Sequence, residues 1–449
     1  MKLSRLNPFA GLPNPKEVWA WGMYDLANQS FTLLIITLLF PIYLKKIVIA
    51  QGSSDPALLA AGDAVWARAQ GGSLFLVVLI SPLIGALSDA RGLRKEVLIG
   101  SGLLCAALTC VLALAGPGDA WLAVAAFAIA NIGFQLGENF LASFLPDLST
   151  RKSMGRISAL GWAMGYSGAV TLLVLTAVIF AIFGWKSEAQ WRPMFVIAGL
   201  WFLFGMIPAI RLLRDDRKPA SPPTGSIWTQ SFGRLKETLS HATRYRQLVL
   251  FLAGFLIYAF GVQTVIAFAS ILAEEFGFKQ SKLVLFVLQI SATGAVAAIA
   301  TAAFTGRLGA KRTVIAYLLV WIVSCTALAW LSMSRSRGGW SPEWMFWLIG
   351  NGLGFGLGGI GTATRALVGA FTPKHRSAEF FGLWGLTFKL AGAIGVLTFG
   401  EIKAGIGTTA ALWTLTGFFV IGLAVVVFVN ERAGRLAARN AERETVRAL

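Results

Sequence analysis

The sequence predicts an all-α membrane protein with twelve transmembrane helices arranged as two six-helix bundles. Three observations lead there. Of 449 residues, 56% are hydrophobic and only 13% are charged, against roughly 25% charged residues in an ordinary soluble domain. The apolar residues come in long blocks rather than at amphipathic spacing; Phe31 to Leu44 and Val97 to Gly118 contain no charge at all. Blocks of this kind, near the ~20 residues that cross a bilayer core, recur along the whole chain.

The first six spans fall at about 18–44, 66–88, 96–116, 120–146, 157–184 and 193–213. The second six fall at about 247–272, 283–305, 312–333, 344–370, 378–402 and 408–429. Gly116-Pro117-Gly118-Asp119 reads as a tight turn between the third and fourth. The expected organisation is a first bundle over 1–213, a cytoplasmic linker over 214–246, a second bundle over 247–430 and a basic tail over 431–449. Within the linker Trp228, Phe232, Leu235 and Leu239 recur at helical spacing, with Arg234, Lys236 and Arg244 elsewhere around the helix. That pattern predicts a basic amphipathic helix lying at the membrane surface. The first seventeen residues are polar and broken by prolines, with no apolar core of a signal peptide, so the first span serves as the membrane address.

A net charge of +18 would suit a nucleic-acid binder, but the basic residues sit between hydrophobic spans. With twelve spans both termini lie on one side. The segments on that side hold 27 lysines and arginines, the opposite loops 10, and Arg365 and Lys389 fall inside spans. Under the positive-inside rule this places both termini in the cytoplasm, and the expected location is a bacterial-type inner (plasma) membrane. The lipid bilayer is therefore a partner and nucleic acid is not. Three cysteines (Cys105, Cys110, Cys325) and two histidines (His241, His375) are scattered, which leaves no disulfide framework, metal site, cofactor site or hydrolytic triad. Gly354-Phe-Gly356-Leu-Gly358-Gly359 matches a dinucleotide-binding pattern but lies inside a span with no strand before it. Asn28-Gln-Ser30, a formal glycosylation acceptor, falls within the membrane. Nothing here supports an enzyme.

The informative residues are the four charges within spans: Asp25, Glu138, Arg365 and Lys389. A charge at the bilayer centre costs about 2.5–3.5 kcal/mol on the insertion scale, so such residues face the protein interior or water. Each has polar or small company at helical spacing. Asp25 shares a face with Asn28, Gln29 and Thr32; Glu138 with Asn131 and Gln135; Arg365 with Asn351, Gly358 and Thr362; Lys389 with Gly382, Gly385 and Gly392. Two readings stand for each stripe, helix–helix glue or the wall of a solute cavity. The acids lie in the first half and the bases in the second. A zwitterion could set its ammonium against Asp25 or Glu138 and its carboxylate against Arg365 or Lys389; Glu138 could instead carry a coupling proton. Tyr24, Trp162, Tyr166 and Trp384 stand near the same stripes.

The halves also echo each other. Gly92-Leu-Arg94-Lys95 is matched by Gly309-Ala-Lys311-Arg312, 217 residues on, and Pro146 by Pro373, 227 residues on. Two six-span repeats follow.

Gly85-Ala-Leu-Ser-Asp89-Ala-Arg-Gly92-Leu-Arg94-Lys95 resembles the cytoplasmic loop signature of the major facilitator superfamily. The resemblance implies an interlock in which Gly85 and Gly92 shape the loop and Asp89 meets the basic pair Arg94 and Lys95. In the second half Gly306 stands where an acid would be expected. Three further stretches resemble one branch, the vacuolar amino-acid effluxer-like transporters with their bacterial "unknown major facilitator" members. They are Trp21-Gly-Met-Tyr-Asp25-Leu-Ala-Asn28-Gln-Ser with Phe40-Pro41-Ile-Tyr; Asn139-Phe-Leu-Ala-Ser-Phe-Leu-Pro146-Asp147-Leu running into Gly155-Arg156-Ile-Ser-Ala-Leu-Gly161-Trp162; and Arg365 through Glu379-Phe-Phe-Gly382 to Lys389. Asp147, Arg156 and Glu379 join the interlock on this basis. Gly137-Glu138 departs from the expected bulky or tyrosine context, which makes Glu138 particular to this chain. The resemblance implies a major facilitator fold working by alternating access; a monomer is expected. Its expected cargo is a small-molecule solute, an amino acid or other small zwitterion, for export; the acids Asp25 and Glu138 within spans favour protons as the coupling ion, with uniport as the alternative. A sugar or amphiphilic-drug transporter, or a scaffold or sensor without flux, are the alternatives.

Overall fold

Hydrocarbon offers no hydrogen bonds, so an apolar span closes its backbone groups internally, as a helix. The computed structural model is helical throughout, with no strand among the described residues. It describes residues 8–448 except 151–152, 186, 216–232, 234–236, 239, 280 and 374–375. The amphipathic linker pattern on Trp228, Phe232, Leu235 and Leu239 lies outside the described residues, as do His375 and the side chains of Asp89 and Trp162.

The helices are α1 (Pro15–Ile49), α2 (Pro56–Arg91), α3 (Arg94–Val111), α4 (Ala120–Ser143), α5 (Met154–Phe183), α6 (Arg192–Gly205, resumed after Met206 as Ile207–Leu212), α7 (Arg246–Glu275), α8 (Ser281–Leu308), α9 (Ala310–Ser336), α10 (Glu343–Phe371), α11 (Ser377–Gly405), α12 (Thr408–Val427) and α13 (Glu431–Ala448). Among the described residues, eleven helices are long and apolar enough to cross a membrane. α10 is as long as these, but seven of its residues 350–361 are glycine, which dilutes its hydropathy. Its 29 residues still reach about 43 Å at ~1.5 Å per residue.

The ends of the helices are written locally. Asp55 accepts from Ala57 N at 2.9 Å and caps α2, with Pro56 in the first turn where its missing N–H costs nothing. Gly92 closes α2 in the left-handed region, φ 64°. In the turn between α3 and α4 the Asp119 carboxylate accepts from Gly116 N at 2.7 Å.

Two compact units make up the chain. Unit 1 is Met1–Ile227 with Ala269–Glu274 and Phe278–Leu285; unit 2 is Trp228–Phe268 with Glu275–Gly277 and Phe286–Leu449. The core of unit 1 is aromatic: Phe127 of α4 lies 5.0 Å from Phe40 and 4.9 Å from Trp66 between ring centroids. In unit 2, α8 and α10 touch backbone to backbone; a Cβ built on Gly358 would collide with the carbonyl of Gly294.

α1 runs further than its apolar block, and α2 begins ten residues before the span read at 66. Lys45 and Lys46, counted with the first loop in the sequence, therefore sit in the last turns of α1. Lys45 Nζ lies 3.1 Å from Asp63 of α2, both side chains about 5% exposed. Pairing offsets part of the desolvation cost that otherwise keeps such residues in loops.

The two halves carry matching caps that the sequence reading did not name. Asp215, just past α6, accepts from Lys95 N at 3.3 Å and from Arg94 Nη2 at 3.0 Å, at the start of α3. Glu431, just past α12, accepts from Ala310 N at 3.3 Å and Lys311 N at 3.0 Å, at the start of α9. Each acid stands at a positive helix N-terminus. Asp215 and Glu431 are 216 residues apart, almost the spacing of the Gly-basic pairs.

Candidate functional site

In unit 1 the sequence-predicted residues of α1 and α4 divide into two groups. Asn28 is 1% exposed, and its Nδ2 donates to Glu138 Oε1. Gln29 Nε2 donates in turn to Asn28 Oδ1 at 3.2 Å. Two carboxamides thus form a chain of donors ending on the Glu138 carboxylate. Asp25 stands one turn earlier on α1, next to the stretch that approaches α4 through Asn28 and Glu138. Glycines make room for this approach. A Cβ on Gly165 of α5 would lie 3.2 Å from Asp25 Oδ2 and 3.6 Å from Gln29 Nε2. Beside the cluster Tyr24 is buried, its hydroxyl donating to Leu98 O at 3.2 Å. Directly after Gln29 the winding of α1 widens to π-helical turns over Ser30–Leu39 and returns to α at Phe40–Tyr43. Such turns are rare, and are frequent at functional sites.

Asn131 is elsewhere. Its Nδ2 donates to Gln70 Oε1 at 3.1 Å and Ser73 Oγ at 2.7 Å, tying α4 to α2. It lies seven residues, about 10 Å, from Glu138 along the helix, and for this member of the stripe the geometry is that of glue. Gln135, between them, is half-buried.

In unit 2 the Arg365 guanidinium lies 5.6 Å from the Trp384 ring centroid, across from α10 to α11, and the side chain is exposed. Lys389, five residues beyond Trp384, is 9% exposed. The stripe preceding Arg365 divides much as that of Glu138 does. Asn351 Oδ1 accepts from Thr293 Oγ1 at 2.9 Å, and Gly358 packs on Gly294, so both join α10 to α8. Tyr258 and Thr364, absent from the sequence reading, share a hydrogen bond of 2.7 Å beside Arg365.

The loop residues also fall into distinct sets. Arg94, 5% exposed, donates from Nη1 to Ser143 O at 3.0 Å and Asp147 Oδ2 at 2.5 Å, and lies 3.8 Å over the Phe144 ring. With Asp215 this makes a closed network between the starts and ends of α3, α4 and α6. Arg156 stands apart from it, its Nη2 donating to Pro8 O at 2.7 Å and Ala10 O at 3.1 Å, which holds the N-terminal segment. Glu379, in unit 2, accepts from Arg376 at 3.1 Å and meets His241 Nδ1 at 3.1 Å. Gly85 faces open space. Asp215 was the missed member; an acid at one fixed distance past the sixth and twelfth spans was its signal.

Residues 69–439 match the family model described as vacuole effluxer Atg22 like. The chain is 25% identical over 430 residues to an uncharacterized MFS-type transporter, YxiO, of Bacillus subtilis, covering 93% of this chain and 95% of that one. It is 22% identical over 459 residues to autophagy-related protein 22 of Candida glabrata, covering 86% and 84%. Among solved structures it is similar in fold to a D-xylose-proton symporter, with TM-score 0.70, 14% identity and 93% and 98% coverage. It is likewise similar to the human organic anion transporter MFSD10, with TM-score 0.64, 16% identity and 92% and 99% coverage. YxiO and both of these solved structures are transporters, and the match to YxiO runs nearly end to end, so the protein is a transporter and not an enzyme. The chain belongs to the vacuole effluxer Atg22-like family, a branch of the transporters with the twelve-helix major facilitator fold.

Proposed function

We propose that this chain exports amino acids or other small zwitterions across a bacterial-type inner membrane by alternating access, exchanging each solute for a proton. In this reading the bundles 1–213 and 247–430 rock as a monomer, with both termini in the cytoplasm. Asp25, Asn28, Gln29 and Gln135 serve the ammonium, Glu138 carries the proton, and Arg365 and Lys389 serve the carboxylate. The Arg94–Asp147 pair opens and closes with the access state.

The observation that carries the reading is the donor chain Gln29–Asn28–Glu138 beside Asp25. Two acids held together within one helix pair cannot both stay charged cheaply, and a cation, whether ammonium or proton, relieves them. The word "effluxer" in the family description supports export. Zwitterions with separate cation and anion sites agree with acids in one half and bases in the other.

A thermal-shift screen on purified protein tests the cargo. A ligand at about 100 times its Kd stabilises by roughly 2.7 kcal/mol, so individual amino acids are expected to raise the melting temperature while sugars leave it unchanged. Stabilisation by sugars alone would overturn the reading.

A further inference from the structure

Arg365 and Lys389 stand at different depths in unit 2. Arg365 is six residues before the end of α10, and Trp384 is seven residues into α11. At ~1.5 Å per residue both are about 10 Å from that end of the helices. Lys389 is twelve residues into the 29-residue α11, about 18 Å from the same end and near its middle. α13 marks this end, with Gly434 packed on Phe371.

At the shallower level the guanidinium rests on an aromatic shelf. Trp384 is stacked on Phe255 at 5.8 Å and meets the edge of Phe381 at 6.2 Å. Side chains would find open space at Gly361, one turn from Arg365, and at Gly382 and Gly385 on either side of Trp384. An exposed arginine on a membrane helix is costly against lipid, so this face gives onto water. A planar guanidinium offers paired donors that match a carboxylate, and stacking on an aromatic face fixes its plane.

We propose that Arg365, held flat on Trp384, is an outer docking point for the carboxylate of the transported solute, met before Lys389 on the way in from the α13 end. Trp384 is its positioning residue. The glycines leave room for the solute's own side chain beside the shelf. This rests on the zwitterion reading above.

The test is uptake of a 14C-labelled amino-acid mixture by proteoliposomes containing the full chain. Trp384→Leu is expected to raise KM about fivefold to tenfold with kcat nearly kept, and Trp384→Phe to stay near the wild type, because a phenyl ring still offers a face to the cation. Arg365→Lys, which keeps the charge but loses the fork, is expected to raise KM as Trp384→Leu does. Leucinamide, which lacks the carboxylate, is expected to compete with equal strength in wild type and variants. An unchanged KM in both Trp384→Leu and Arg365→Lys would overturn the docking point, as would acids and amides weakened alike, while leaving the cargo intact. A wild-type protein that moves no labelled amino acid would overturn the zwitterion reading itself.

Discussion

Glu138→Gln is expected to abolish proton-driven accumulation of solute while leaving solute-for-solute exchange near the wild-type rate. Glutamine keeps the size of the side chain and an oxygen for Asn28 Nδ2 to donate to, so the donor chain from Gln29 survives. What it removes is the charge and the ability to take up and release a proton. One proton descending one pH unit supplies about 1.4 kcal/mol, a factor of about ten in solute concentration. The accumulation ratio should therefore fall from about ten toward one in the variant. Uptake driven by a pH gradient and counterflow at equal pH, measured on the same proteoliposomes, separate the two activities. Wild-type accumulation in Glu138→Gln would move the coupling away from this residue.

The second large effect is structural. Gly358→Val is expected to prevent unit 2 from assembling, because α8 and α10 meet there through backbone atoms and the carbonyl of Gly294 has nowhere to go. Losses above about 4 kcal/mol are confined to a few mechanisms, of which overpacking in the core is one. Loss of the monodisperse peak on size-exclusion chromatography in detergent is the expected result. Gly417→Ala on α12, where a Cβ meets nothing within 4 Å, should behave as wild type and serves as the control. An intact, equally heat-stable Gly358→Val protein would show that the two helices can separate at small cost.

The fold was legible because the bilayer simplifies the code. Apolar length decides the spans, and α10, diluted by glycine, was still readable at 344–370 against the observed Glu343–Phe371. Charges that find partners were harder to read. Lys45 and Asp63 look like loop residues, and only their mutual pairing admits them to the helical region. Asp215 and Glu431 act across about 120 residues of sequence on the N-termini of α3 and α9, a distance at which local patterns are blind.

The site was legible as helical faces and less so as contacts. Helical spacing put Asn131 and Glu138 on one stripe of α4. A stripe seven residues long, however, meets different neighbours at its two ends, α2 at one and α1 at the other. Likewise Gly358 and Arg365 share a face of α10, yet one meets α8 and the other α11. Around Glu138, Asn28 and Gln29, which helical spacing sets on one face of α1, are linked to it by hydrogen bonds that spacing within either helix does not reveal.

The most direct measurement follows lumenal pH in proteoliposomes loaded with a pH-sensitive dye as amino acids are added outside. Exchange of solute for proton predicts that the lumen turns alkaline in step with entry of labelled solute, and that Glu138→Gln flattens the pH signal. Labelled amino acid entering the wild-type vesicles while the lumenal pH stays constant would contradict the account.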